Sequence, residues 1–166
     1  ERFISGDSIA ISQFDEDAVL EAIKETSENS DEAISFEFDD DIDEAKLEEN
    51  SLDLSIEMME SKIQKAAGMV LITSRRNDYS DIHIEPREEG YNIRVRKDGV
   101  MQKFMTMSRK PGIRLVACLK NMAEMDIAER RASQDGKILR KFEGNKLEFR
   151  CSTVPGKHGE KMVLRV

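Results

Sequence analysis

Aromatic side chains are few in this 166-residue chain, at 5% of the total. It therefore lacks the stacking platforms on which single-stranded nucleic acids are usually held. The basic pairs Arg75-Arg76 and Arg130-Arg131 are scattered, and no nucleic-acid partner is expected. Cysteine is scarce as well. Cys118 and Cys151 fall within apolar patterns and outside any CxxC or Cys/His cluster, so both read as reduced core residues rather than zinc or redox ligands. No apolar run approaches the ~20 residues that span a bilayer, and no charged-then-apolar leader opens the chain. The expectation is a cytoplasmic protein that touches a membrane only through partners. The string GxxxxGKS/T is missing too, so these residues have no P-loop with which to hydrolyse ATP on their own.

What is present is uneven. The formal net charge is -8, but Glu28 to Asp53 holds 12 acids against Lys46 alone, which leaves the rest of the chain at +3. Mutual repulsion and the dispersed apolar residues Ile34, Phe36, Phe38, Ile42 and Leu47 mark residues 28–54 as an acidic flexible linker. Before it, a short apolar stretch from Ile4 to Ile11 and a helix from about Asp15 to Lys24 resemble the end of a small α/β domain, residues 1–27.

Residues 55–166 carry a second domain. Ile56, Met59, Ile63, Ala66, Ala67, Val70 and Leu71 follow helical spacing to about Leu71. The period then changes to two: Ile82 and Ile84 alternate with Asp81, His83 and Glu85, and after a turn at Pro86 to Gly90, Tyr91, Ile93 and Val95 alternate with Asn92, Arg94 and Arg96. Asp98-Gly99 is a hairpin signal leading to a third strand, Val100 to Met105. Pro111-Gly112 introduces a helix with Ile113, Val116, Leu119 and Ala123 as its core stripe, ending near Asp126 to Arg131. Three further strands are expected at Ile138 to Phe142, Leu147 to Cys151 and Met162 to Val166. The fold class is α+β, an antiparallel sheet with helices in the order α-β-β-β-α-β-β-β.

The charged side chains of the first hairpin allow two readings. Arg94 and Arg96, if paired antiparallel with Asp81, His83 and Glu85, form a solvated face stapled by cross-strand ion pairs. Alternatively a planar guanidinium with five donors suits phosphate oxygens, and Arg109 in the basic Arg109-Lys110-Pro111-Gly112 segment is close in topology. Asp81, His83 and Glu85 are also competent metal ligands on one strand face, although an ion-pair row is the favoured reading. Neither His83 nor His158 lies beside a nucleophile, so no catalytic residue and no metal ligand is assigned.

Five strings run in order: Ser80-Asp81-Ile82-His83-Ile84-Glu85-Pro86, Arg94-Val95-Arg96-Lys97-Asp98-Gly99-Val100, Met125-Asp126-Ile127-Ala128-Glu129-Arg130-Arg131, Gln134-Asp135-Gly136-Lys137, and Ser152-Thr153-Val154-Pro155 with His158-Gly159-Glu160 and Val163-Leu164-Arg165. Their order and spacing resemble the type II secretion and type IV pilus assembly ATPases, over roughly Ile56 to Val166. The resemblance implies the second N-terminal domain of a homo-hexameric motor, joined to a RecA-like ATPase domain that binds ATP and Mg2+. It further implies that Arg94 and Arg109 sense the terminal phosphate of ATP held by that motor domain, with Arg96 secondary. Nucleotide state would then pass to an inner-membrane platform protein or cytoplasmic adaptor. Asp98-Gly99 and Asp135-Gly136 are expected to set turns, and Lys137 stands where the family usually has arginine. A non-catalytic adaptor that binds a regulator or platform protein is the alternative.

Overall fold

The computed structural model describes residues 34–35, 49–142 and 144–166, with side chains at residue 60 and from residue 62 onward. The expected strand from Ile4, the helix from Asp15 and most of the acidic stretch lie outside the described residues.

The first helix, α1, runs Glu49–Arg76 and the second, α2, runs Arg109–Met122. A two-residue strand β1 (Ile34–Ser35) is followed by β2 (Asp81–Pro86), β3 (Gly90–Lys97), β4 (Val100–Ser108), β5 (Gln134–Phe142), β6 (Asn145–Gly156) and β7 (Gly159–Arg165). They form one sheet in the order β1-β4-β3-β2-β7-β6-β5. Among the described strands, only β1 pairs in parallel, against Met105 and Thr106 of β4; the other ladders are antiparallel. The class is α+β, as the alternation of periods implies.

Strand alternation sorts the side chains into two faces. Ile82, Ile84, Tyr91, Ile93, Val95, Met105, Ile138, Phe149, Met162 and Leu164 are buried, and they join Ile63, Ala66, Ala67, Val70, Leu115, Val116 and Leu119 from the helices in one core. The turn between β3 and β4 follows from Asp98 and Gly99, whose φ angles of 50° and 80° are the pair of positive values a type I′ hairpin needs. Gly112 lets α2 lie directly on the ring of Tyr91, where a Cβ would collide. Pro111 is tolerated in the first turn, where a backbone N–H has no helical partner to lose.

Both helices stop for the same reason. Past α2, Glu124 sits at φ 59°, its N–H donates to Asn121 O at 3.1 Å, and the Met125 N–H donates to Lys120 O at 2.9 Å. This pairing closes a Schellman cap, so α2 ends at Met122 rather than near Asp126 to Arg131 as expected. Asp78, at φ 54°, ends α1 in the same way through Tyr79 N–H to Ser74 O at 2.9 Å. A glutamate in a left-handed conformation is disfavoured relative to glycine. Glu124→Gly should therefore stabilise the chain by about 0.5–1 kcal/mol, read as a higher urea midpoint with unchanged slope, whereas Glu124→Ala should bring no such gain.

One expected turn is not a turn. Asp135 and Gly136 lie within β5, opposite Ser152 and Cys151. Gly136 is small because the Ala123 carbonyl at the end of α2 crosses it; a Cβ there would stand 2.5 Å from that oxygen. The cysteines are core residues as expected: both are free, and burial pushes the Cys151 thiol up to about 11 and the Cys118 thiol up as well.

Candidate functional site

The face of the sheet away from α1 and α2 carries the charged residues of the hairpin. Register places His83 opposite Arg94 and Asp81 opposite Arg96, on one face as the antiparallel reading expects. Glu85, nearly buried, receives Arg94 Nη2 at 2.9 Å, Arg87 Nη2 at 3.1 Å and Lys161 Nζ at 3.4 Å. Asp81 accepts from Ser80 Oγ at 2.9 Å and lies 3.5 Å from Arg96 and 3.4 Å from Arg165. The row is an ion-pair network, and both carboxylates of the would-be metal set are occupied by cations. Arg96 also donates to Gly99 O at 3.3 Å, which ties it to the hairpin turn. Arg94 is bound through one Nη, while its Nε is buried without a hydrogen-bond partner.

Burial and these charges set two downward pKa shifts with one direction of pH response. Burial raises the Glu85 carboxyl, but the Arg94 hydrogen bond and charge, followed by Lys161, outweigh it and hold the group below its ordinary value. Burial, then Lys161, lowers His83; Glu85 and Asp81 oppose this, and Arg94 adds to it. A histidine whose folded pKa is depressed binds fewer protons folded than unfolded, so stability falls as pH drops below 6.5. Glu85 adds a second loss at lower pH, as the medium passes down through its depressed folded pKa. His83→Gln should flatten the upper part of this acid limb, read from urea midpoints between neutral pH and pH ~5, and leave the Glu85 part in place.

Arg109 is elsewhere. As the first residue of α2 it is exposed and borders a cleft of about 170 Å³ on the helix-bearing side, lined also by Tyr91, Ile113, Lys120, Arg130, His158, Gly159 and Glu160. Arg94 and Arg109 thus stand on different sides of the sheet, the first in the ion-pair row and the second at the helix-side cleft. A shallower hollow of about 640 Å³ adjoins the cleft across Tyr91 and His158.

The floor of this cleft was not foreseen from the sequence. Lys120, 1% exposed, directs Nζ to both oxygens of Glu160 at 3.2 and 3.0 Å and donates to the Glu129 carbonyl at 2.6 Å. A signal existed: Lys120 falls four residues after Val116, on the stripe that α2 turns inward. The loop from Asp126 is built from its own polar side chains. Gln134 Oε1 accepts the Asp126 N–H at 2.8 Å, and its Nε2 donates to the carbonyls of Asp126 and Glu129 at 2.9 and 3.2 Å. Glu129 Oε1 accepts the N–H groups of Arg131 and Ala132 at 2.6 and 3.2 Å. Arg130 is thereby held on a braced loop at the cleft. Lys137, the expected departure from arginine, pairs with Glu148 at 3.0 Å on the charged face.

A family model described as type II/IV secretion system protein matches residues 57–166. The chain belongs to that family. The putative type II secretion system protein E of Escherichia coli is 32% identical over 160 residues, covering 95% of this chain and 32% of that protein. The type IV pilus assembly ATPase PilB of Myxococcus xanthus is 37% identical over 129 residues, 76% of this chain and 23% of its own length. The type II secretion system ATPase E of Vibrio cholerae is 40% identical over 107 residues, 64% and 21% respectively. The chain therefore spans a fifth to a third of these relatives. All five strings quoted above lie inside the family match, as do Arg94, Arg109, Lys120 and Glu160. Among the described residues, no helix is long and apolar enough to cross a membrane.

Proposed function

We propose that residues 55–166 are the coupling domain of a hexameric cytoplasmic ATPase that powers type IV pilus assembly or type II protein secretion. In this reading, a RecA-like motor domain beside it holds ATP and Mg2+, while Arg94 and Arg109 reach the terminal phosphate from outside, with Arg96 in a lesser role. Nucleotide state becomes rigid-body movement between the two domains, and the movement is passed to an inner-membrane platform protein or its adaptor. Residues 1–27 and the acidic 28–54 stretch are the end of a preceding docking domain and its tether.

One observation carries this reading. The segment that proteins named as secretion and pilus ATPases share with this chain contains no P-loop. What the segment supplies to such an enzyme is therefore something other than the phosphate cradle. Arginine is suited to that task, because its charge persists at any working pH and its planar fork matches phosphate oxygens. Arg94 keeps an unpaired Nε, and Arg109 is exposed at a helix start. Removing a charge-assisted donor that acts on a transferring phosphoryl group costs about 10²-fold in turnover. Arg94→Ala and Arg109→Ala in the full-length protein should each lower ATP hydrolysis by about that factor, with matching loss of pilus assembly or secretion. Unchanged hydrolysis in both variants would remove the sensing role.

A further inference from the structure

We infer that the outer edge of β4 is a strand-docking site for the chain's own acidic segment, which meets it at β1 and runs on toward the start of α2. The inference goes beyond the coupling role, because it concerns how the tether is held rather than what the domain senses.

The backbone supplies the first observation. Among the described residues, β4 is nine residues long, with β3 along one side and the two-residue β1 on the other. A strand edge offers N–H and C=O groups that a further extended segment can complete. β1 begins this pairing, with Ile34 beside Met105 and Ser35 beside Thr106. The sequence that follows suits a longer ladder. Ile34, Phe36 and Phe38 alternate with Ser35, Glu37 and Asp39, the period of a strand. Continued by one repeat, the register sets Phe36 level with Met107, as Ile34 is level with Met105. Both methionines are buried, so the apolar positions of the segment coincide with the apolar positions of β4.

Direction supplies the second observation. The pairing is parallel, so the segment follows β4 toward Ser108 and α2. Past Phe38 it carries Asp39-Asp40-Asp41, whereas α2 opens with the exposed Arg109 and Lys110 and has no acidic residue in its first turn. Carboxylates are favoured at a helix N-terminus, and two cations strengthen the preference here. In the other direction the same register sets Glu32 level with Lys103 of β4, which is also exposed. Acids that repel one another in a free linker thereby gain cationic neighbours at both ends of the ladder. Once docked at Ser35, the tether passes displacement of the residues before it directly to β4 and α2.

The test uses the full 166-residue chain, without a motor domain, and reads hydrogen exchange on peptides by mass spectrometry. Adjacent N–H groups point to opposite sides of a strand, so Ile34→Pro with Ser35→Pro removes the donor aimed at β4 whichever of the two it is. Exchange in the Val100–Ser108 peptide should then rise about threefold to tenfold, as for the loss of a ladder hydrogen bond or two. Peptides from β5, β6 and β7 should keep the parent's rates, which shows that the domain stays folded. Ser35→Ala retains the backbone donor and should exchange as the parent does. Asp39→Asn, Asp40→Asn and Asp41→Asn together should raise exchange in the β4 peptide about threefold at low salt, and the difference from the parent should vanish at about 1 M salt, where the attraction is screened. An unchanged β4 peptide in the double-proline variant would overturn the docking. Protection that grows with chain concentration, with a doubled mass by light scattering, would give the edge to a second copy and overturn the assignment to the chain's own segment.

Discussion

Lys120→Met should destabilise the chain by about 3–5 kcal/mol, because it leaves the buried Glu160 carboxylate without its counter-charge. The side chains are 2% and 9% exposed, so water replaces the lost partner poorly. The pair itself need not be a large net source of stability, since desolvating two ions offsets most of their attraction. The two substitutions together therefore behave differently from either alone. Lys120→Met with Glu160→Leu should recover most of the loss, but not all of it. Lys120 also donates to the Glu129 carbonyl at 2.6 Å, and an orphaned buried acceptor costs about 1–3 kcal/mol. Urea denaturation of the two single variants and the double variant gives the coupling energy directly. Equal and additive losses would show that the groups do not act as a pair. The same contact anchors the loop bearing Arg130, so Lys120→Met should loosen that loop even where the chain stays folded.

Gly136→Ala is the second large effect. The new Cβ would stand 2.5 Å from the Ala123 carbonyl oxygen and 3.2 Å from the Ala123 Cβ, both at the closing turn of α2. A backbone oxygen at a helix end cannot rotate away as a side chain does, so the strand and helix must separate. Overpacking of this kind costs about 1–3 kcal/mol, and the rigid neighbour puts this site at the upper end. Gly144→Ala supplies the contrast: nothing lies within 4 Å of its Cβ, and only its φ of 76° opposes the change. A thermal midpoint lowered more by Gly144→Ala than by Gly136→Ala would contradict the packing account.

The sequence disclosed local rules better than long-range ones. Period-two alternation located β2 and β3 and put Asp81, His83 and Glu85 on one face with Arg94 and Arg96, because strand pairing depends on side-chain pattern and a short turn; the register itself came from the structure. Asp98-Gly99 announced its hairpin for the same reason. Gly136 misled because a glycine after aspartate looks the same in a turn as in a strand crossed by a neighbouring backbone. The end of α2 was misplaced because Glu124 caps it in a conformation that sequence preference reserves for glycine. Lys120 and Glu160, 40 residues apart, meet only after β7 is laid beside β2 and under α2. Tyr91, in step with Ile93 and Val95, is a core aromatic, as the alternation implies. Arg94 and Arg109 were singled out by motif, yet their separation by the sheet is a tertiary fact.

That separation bears on how the domain couples. Two arginines on different faces cannot close on one phosphate by a small side-chain adjustment, so in the proposed reading their response to nucleotide comes through the placement of the whole domain. The most direct test is a distance measurement in the full-length protein, between a spin label on this domain and one on the motor domain, with and without a non-hydrolysable ATP analogue. The account predicts a nucleotide-dependent change in that distance, lost in Arg94→Ala and Arg109→Ala. The same distance distribution with and without nucleotide would contradict it.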